Sequence, residues 1–435
     1  MTTRHAPAAA RADRPMLTPH PMLVRSGNPA RLTAFVWRRI LQTANDLGWS
    51  VTASPWSAPG QPQDAGAAVR RVSLPEQPTS RQVAAALAAA SPSSLVLTAD
   101  PDPLAAAQAD AVERFAGVGG FGLCSPAAMR VLLDKLSTRQ LCARIGVPTA
   151  PGTEGAAGDP VFRAAAADLL GTYGRLVLKG RWGWAGNDNM VVERPEQLAR
   201  AWARSGPDGG TAIAEAFVRG QEVSLELIAG RDAIMVVGWA VKGETGSSAH
   251  PVERLRFSPS CPPPQHLAAA AADLVHATGY LGIVEVDYVV DTASGRFWLL
   301  EANPRTGAVT ALLAAGADGC SSVELAMRAE AAHLAGMPPP VPLARVAAAE
   351  FTTAPHLAPD DSRPDARWVH PSIEGFRPHI YLRGDEETLL LELALAGAGS
   401  HLDGAPTLTA ALGTLIDDAA RIADRSPVPA GADAR

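Results

Sequence analysis

Gly282-Ile283-Val284-Glu285-Val286-Asp287-Tyr288-Val289-Val290-Asp291, followed after a short turn by Phe297-Trp298-Leu299-Leu300-Glu301-Ala302-Asn303-Pro304-Arg305, decides the fold. Both runs are strongly apolar and the segment Asp291–Arg296 joins them, which is the pattern of a β-hairpin. Alternate residues of a strand share a face. Glu285 with Asp287, and Glu301 with Asn303, therefore fall on one side, while Val284, Val286, Leu300 and Ala302 should face a packed side. Three carboxylates and a carboxamide on one face repel one another unless a cation neutralises them. Hard oxygen ligands of this kind suit Mg²⁺ shared with substrate phosphates. The alternative is a solvated edge hairpin. Against it stand the apolar intervening residues, and Asn303 is one of only five asparagines in the chain.

Lysine is equally sparse: of 38 cations only Lys135, Lys179 and Lys242 are lysine, so arginine is the default and a lysine marks a place for a compact ammonium. Lys179 ends the apolar strand Leu176-Val177-Leu178 and precedes a loop, residues 180–189, that carries Gly183 and Gly186. A strand-end ammonium beside glycine-bearing backbone N–H groups is a phosphate cradle. Trp182 and Trp184 in that loop either close it by aromatic packing or belong to a core. Lys135 falls in a predicted helix over 126–145, with Ser125 as N-cap, Pro126 in its first turn and Gly146 at its end. Between the lysine loop and the hairpin runs Ala214-Glu215-Ala216-Phe217-Val218-Arg219-Gly220-Gln221-Glu222-Val223-Ser224.

The pattern Asp287…Leu300-Glu301-Ala302-Asn303-Pro304-Arg305 resembles the magnesium signature of the ATP-grasp superfamily of carboxylate–amine ligases, among them L-amino-acid ligases. The resemblance implies that Asp287, Glu301 and Asn303 hold Mg²⁺, with Glu285 auxiliary. It implies that Arg305 meets the γ-phosphate or the acyl phosphate, and that Lys135 and Lys179 bind ATP, Lys179 also assisting the reaction. The loop with Gly183 and Gly186 would fold over the phosphates. Glu215 and the backbone of Phe217 and Val218 would face adenine, and Glu222 the ribose. Lys242 and Arg256, with Glu253 and Arg254 nearby, either reach an acceptor substrate or form a surface ion-pair cluster.

Working outward, strands alternate with helices from residue 22, as in a small parallel α/β layer. The resemblance casts residues 22–125 as a Rossmann-like preATP-grasp domain, 126–218 as the small lid subdomain and 219–337 as the large subdomain with the metal site. Past Pro338–Pro340, residues 338–425 read as a C-terminal α+β extension, giving an α/β and α+β multidomain chain. Residues 1–21 and 426–435 read as a disordered leader and tail. The predicted helical stretch 308–335 closes the large subdomain.

The 435 residues carry a net charge of −6, with 47% apolar and 19% charged residues. That balance excludes a largely disordered chain and gives no global attraction to nucleic acid or an anionic membrane. No apolar run approaches the ~18–20 residues of a membrane span, and the polar leader is no signal peptide. Four cysteines without CxxC spacing read as free thiols of a cytoplasmic enzyme. Gly117–Gly122 matches GxGxxG but follows a predicted helix, 104–116, rather than a strand, which sets a dinucleotide site aside. His250 and His266 read as solvated loop residues.

The expected function is ATP-dependent amide formation through an acyl phosphate, joining amino acids or an amino acid and a peptide. The implied cofactors are ATP and Mg²⁺, the partners small carboxylates and amines, and the family's frequent homodimers imply a second copy. Alternatives are a carboxylase or purine-pathway-type ligase of the same fold, a phosphotransferase stopping at the phosphorylated acid, or a non-catalytic nucleotide binder.

Overall fold

The computed structural model describes residues 22–24, 34–49, 51–53, 69–71, 79, 81–82, 85, 96–98, 126–181, 189–204, 210–231, 233–245, 255–307, 309–318, 320–341, 345–352, 367–370, 379–385, 387, 389–390 and 405–424. The leader, the tail, Gly117–Gly122, the loop glycines Gly183 and Gly186 with Trp182 and Trp184, and His250, Glu253 and Arg254 lie outside the described residues.

Strands β1 (Met22–Val24), β2 (Val51–Ala53), β3 (Val69–Arg71) and β4 (Val96–Thr98) form a parallel sheet in the order β3-β2-β1-β4, with helix α1 (Ala34–Asp46) following β1. Such a sheet is what the alternating pattern predicts. β3 escapes that pattern because its Val-Arg-Arg run shows no apolar alternation.

The helix predicted over 126–145 is two helices, α2 (Pro126–Leu133) and α3 (Lys135–Ile145). Asp134 breaks it. Its buried carboxylate accepts the Leu136 N–H at 3.2 Å as the N-cap of α3 and takes two bonds from Arg181, at 2.9 and 2.7 Å. Gly146, at φ +76°, closes α3 as predicted.

Next comes an antiparallel unit of β5 (Gly152–Ala156), α4 (Pro160–Tyr173), β6 (Leu176–Gly180), β7 (Met190–Val192), α5 (Pro195–Arg204) and β8 (Thr211–Ala216), with sheet order β5-β8-β6-β7. Phe162, Leu170, Leu176, Leu178, Val192 and Leu198 fill its core. The sequence reading missed β5 and α4, although α4 has a clear start: Asp159 caps it, accepting the Val161 N–H at 2.9 Å, with Pro160 in its first turn.

The largest sheet runs β13-β12-β9-β10-β11-β14-β16-β15. It comprises β9 (Gln221–Ala229), β10 (Ile234–Glu244), β11 (Arg256–Ser258), β12 (Gly282–Val290), β13 (Phe297–Asn303), β14 (Ala347–Thr352), β15 (Arg367–His370) and β16 (His379–Gly384). Strands after the proline cluster thus extend this sheet, β14 pairing with β11. Helices α6 (Gln265–Thr278), α7 (Thr310–Gly316), α8 (Ser322–Leu334) and α9 (Ala405–Asp424) flank it. The stretch predicted as continuous helix over 308–335 breaks between α7 and α8, where Asp318 takes φ +52° and Ser321 caps α8.

One face carries Val223, Leu225, Leu227, Val284, Val286 and Tyr288 into a core with α2, α3, α6 and α9. Each such fully buried side chain contributes about 1.5–3 kcal/mol by the burial of its apolar surface. The opposite face meets α1, α7 and α8 through Ile228, Val237, Ala240 and Ile283. Leu300 is a correction. A bulge opposite Asp287 and Tyr288 leaves it without a partner, so Leu299 takes the packed place and Leu300 stays half-buried.

Candidate active site

The acidic side chains lie on the sheet face shared with α7 and α8, in two transverse rows set by strand register. One row is Glu226, Glu285 and Asn303, and the other is Ser224, Asp287 and Glu301. The hairpin expectation holds: Asp287 and Glu301 stand directly opposite each other. β10 adds Lys242 at a second bulge, between the pairs of Val241 and Gly243. Its Nζ lies 2.8 Å from Asp287 Oδ1 and 3.9 Å from Glu285 Oε1. The Ser224 hydroxyl donates to the same Asp287 oxygen. Lys135, opening α3, places Nζ 3.5 Å from Glu301 Oε2. The Asn303 amide donates to Glu301 Oε1 at 3.4 Å, and Arg305 Nη2 donates to Asn303 Oδ1 at 3.2 Å.

Burial pushes the Asp287 carboxyl up to about 6; Lys242 opposes the shift, and repulsion from Glu285 and Glu301 adds to it. Burial also raises Glu301, but Lys135, Lys179, Lys242 and Arg305 outweigh it and bring Glu301 down to about 2. Burial lowers Lys242, and Asp287, Glu285 and Glu222 reverse that, leaving its pKa above the ordinary value. Glu301 is thus ionised, whereas Asp287 carries the cost of crowded negative charge that a further cation would relieve.

That donor set fits a hard divalent ion: the Asp287 and Glu301 carboxylates with the Asn303 carboxamide. Among the described residues no three His, Cys, Asp or Glu side chains converge closely enough to cage an ion by themselves. The lysines share the acidic surface instead.

On the four-stranded antiparallel sheet, Lys179 and Glu215 are diagonal same-face neighbours on β6 and β8. Lys179 Nζ lies 2.6 Å from Glu215 Oε2, and Arg139 of α3 reaches the other oxygen at 2.8 Å. Lys135, Lys179, Glu215 and Glu301 line one cleft with Leu132 and Ile213.

Beyond Glu215 the chain crosses from the four-stranded sheet to the large one. The Phe217 N–H donates to the Arg175 carbonyl at 2.9 Å, while the Arg175 guanidinium sits 3.8 Å from the centre of the Phe217 ring. The Val218 carbonyl accepts from the Thr245 hydroxyl at 2.9 Å. Two of the backbone groups expected to face a base are therefore engaged internally, which leaves the Phe217 C=O and Val218 N–H for that role. Glu222, at the start of β9, is half-buried.

Arg256 lies in β11 rather than a loop and, buried, bonds Glu350 across to β14 at 3.1 Å. Lys242 is half-buried and pairs with Asp287 at 2.8 Å. His266 is likewise no solvated loop residue: it opens α6, its ring 5.4 Å from that of Phe297 and its nitrogens buried without partners.

Sequence reasoning missed Ser224, Glu226 and Arg139. The alternation Glu222-Val223-Ser224-Leu225-Glu226-Leu227 marks the first two as one face of a strand; for Arg139 nothing in the sequence does.

No protein-family model matches the chain. Among curated proteins it is 25% identical over 201 residues to the mitochondrial methylcrotonoyl-CoA carboxylase subunit alpha of Oryza sativa subsp. japonica, a match covering 41% of this chain and 25% of that one. It is 24% identical over 191 residues to the carbamoyl-phosphate synthase of Methanobrevibacter smithii, covering 41% and 47%. The match spans less than half the length of either relative. Solved structures align over far more. Biotin carboxylase from Campylobacter jejuni superposes with a TM-score of 0.65 at 16% identity, over 86% of this chain and 90% of that one. N5-carboxyaminoimidazole synthetase from Staphylococcus aureus, in complex with ADP, gives 0.66 at 12%, over 87% and 96%. L-amino acid ligase from Bacillus licheniformis gives 0.60 at 18%, over 86% and 95%. At these TM-scores and coverages the chain has the ATP-grasp fold.

Proposed function

We propose that the protein is an ATP-dependent, ADP-forming carboxylate–amine ligase that joins amino acids, or an amino acid and a peptide, through an acyl phosphate. The observation that carries this is the cleft in which Lys135 and Lys179 face Glu301 beside Asp287. Ammonium groups from two elements opposite a carboxylate pair suit a triphosphate with its counter-ion. Asp287, Glu301 and Asn303 would hold Mg²⁺, which supplies charge neutralisation at the transferring phosphate.

Lys135 and Lys179 bind phosphate oxygens. Glu215 holds Lys179 in place, and the Val218 N–H and Phe217 C=O meet the base. A substrate carboxylate oxygen attacks the γ-phosphorus and ADP leaves. The amine nitrogen then attacks the acyl carbon, and Arg305 stabilises the oxyanion until phosphate departs and the nitrogen loses its proton.

A second reading, in which bicarbonate is the acid, is supported by the carboxylases among the curated relatives. An ATP-hydrolysis screen against pooled amino acids and short peptides, with and without bicarbonate and with mass detection of products, separates the two. Bicarbonate-dependent ADP release without a condensed peptide refutes the first. Glu301→Gln and Lys179→Ala should each abolish ADP release with an unchanged circular dichroism spectrum; full activity in either refutes the site.

A further inference from the structure

We propose that Glu285 and Glu226 hold neither ion nor nucleotide but clamp the turn between β13 and α7, and so act as positioning residues for Arg305. This rests on the role given to Arg305 above. Glu285 Oε2 accepts the Val309 N–H at 3.1 Å and lies directly under Gly307. A Cβ at position 307 would stand 1.7 Å from that oxygen and 2.2 Å from the carboxyl carbon, so only glycine fits there while Glu285 stays in place. One strand further in, Glu226 accepts the Thr310 hydroxyl, whose oxygen in turn accepts the Gly307 N–H at 2.9 Å. From the other side the Tyr280 hydroxyl bonds the Pro304 carbonyl at 3.0 Å.

The turn is thus pinned at Pro304, Gly307, Val309 and Thr310, with Arg305 among the pins. Its Nη1 donates to the Thr306 carbonyl at 3.2 Å and its Nη2 to Asn303, and only 4% of the residue is exposed. Asp287 and Glu301 differ in kind: their carboxylates face lysine ammonium groups rather than backbone. Glu285 shares only a 3.9 Å approach to Lys242 with that set. Two buried carboxylates side by side in one row each need a strong donor, and the start of α7 provides one for each.

The test uses the full chain, first without any nucleotide. Amide hydrogen exchange over residues 303–310 should stay slow in Glu285→Gln, whose carboxamide oxygen still accepts the Val309 N–H. It should quicken at least tenfold in Glu285→Ala and in Thr310→Val. Next, MgADP binding is measured as a function of Mg²⁺. The half-saturating Mg²⁺ should shift less than twofold in Glu285→Gln and at least tenfold in Asp287→Asn. In ATP hydrolysis, Thr310→Val should lower kcat about tenfold with KM for ATP unchanged, and adding Arg305→Lys should cost little more, because both changes act on one guanidinium. A tenfold Mg²⁺ shift in Glu285→Gln, or unchanged exchange in both Glu285→Ala and Thr310→Val, overturns the clamp. If the clamp variants free the turn while Asp287→Asn leaves MgADP binding untouched, the clamp stands and the ligase assignment falls.

Discussion

Replacing Glu215 with Gln removes the one carboxylate that faces both Lys179, at 2.6 Å, and Arg139, at 2.8 Å. All three side chains are largely buried, at 8%, 9% and 14% exposure, so Lys179 would lose its carboxylate without gaining water, while Arg139 keeps the Ala150 carbonyl at 2.8 Å and Glu154 at 3.6 Å. Removing one member of a buried ion pair costs about 3–5 kcal/mol. The Gln carboxamide keeps one acceptor oxygen, which returns roughly 1 kcal/mol as a hydrogen bond and leaves a loss of about 2–4 kcal/mol. The loss falls on the four-stranded sheet, where β6 and β8 carry the pair, and on the seam with α3.

Native-state hydrogen exchange of the β6 and β8 amides reads it directly as a lower opening free energy, and urea unfolding reads the global share. A cycle with Lys179→Met isolates the pair: once the ammonium is gone, Glu215→Gln should cost at least about 1 kcal/mol less than in the parent. Strictly additive effects, within about 0.5 kcal/mol, would refute the inference that Glu215 holds Lys179.

Burial pushes Glu226 up to about 7 from an ordinary 4.5, so between those values the folded chain binds more protons than the unfolded one and stability falls as pH rises. Glu226→Gln should therefore raise the urea midpoint at pH 8, by up to about 3 kcal/mol in free energy, and change little at pH 4.5; a gain equal at both values refutes this. Gly220→Ala should destabilise by about 1–3 kcal/mol in thermal unfolding, because its Cβ would meet the Val290 carbonyl oxygen at 2.4 Å and neither backbone can yield. In a Cys124→Ser background, Cys261 is exposed and should react with a thiol reagent in the native state. Cys142 and Cys320, buried and raised to about 11 and 12, should react only on unfolding.

Pattern and scarcity made much of this molecule legible. The apolar alternation of β12 and β13 fixed which side chains share the acidic face, because a strand has no other periodicity. Lys135 and Lys179, two of only three lysines among 38 cations, both line the cleft. Period alone also placed α6, from Gln265 to Thr278, at its observed ends. Elements that carry little alternation, such as β3, β5, β11 and β15, were invisible, because short strands are held by their neighbours' hydrogen bonds rather than by their own residues.

Only the tertiary structure could decide the rest. It showed that the strands beyond the proline cluster join the large sheet, since strand pairing between distant segments leaves no trace in either one. It gave Arg256 to Glu350, 94 residues away, and Arg139 to Glu215, 76 residues away. It also divided the acidic residues into those that face lysines and those that bond the Val309 N–H and the Thr310 hydroxyl. One-dimensional spacing assigns a residue to a face, but its partner is set by what the fold brings against that face, and in a low-dielectric interior the partner decides what the charge can do.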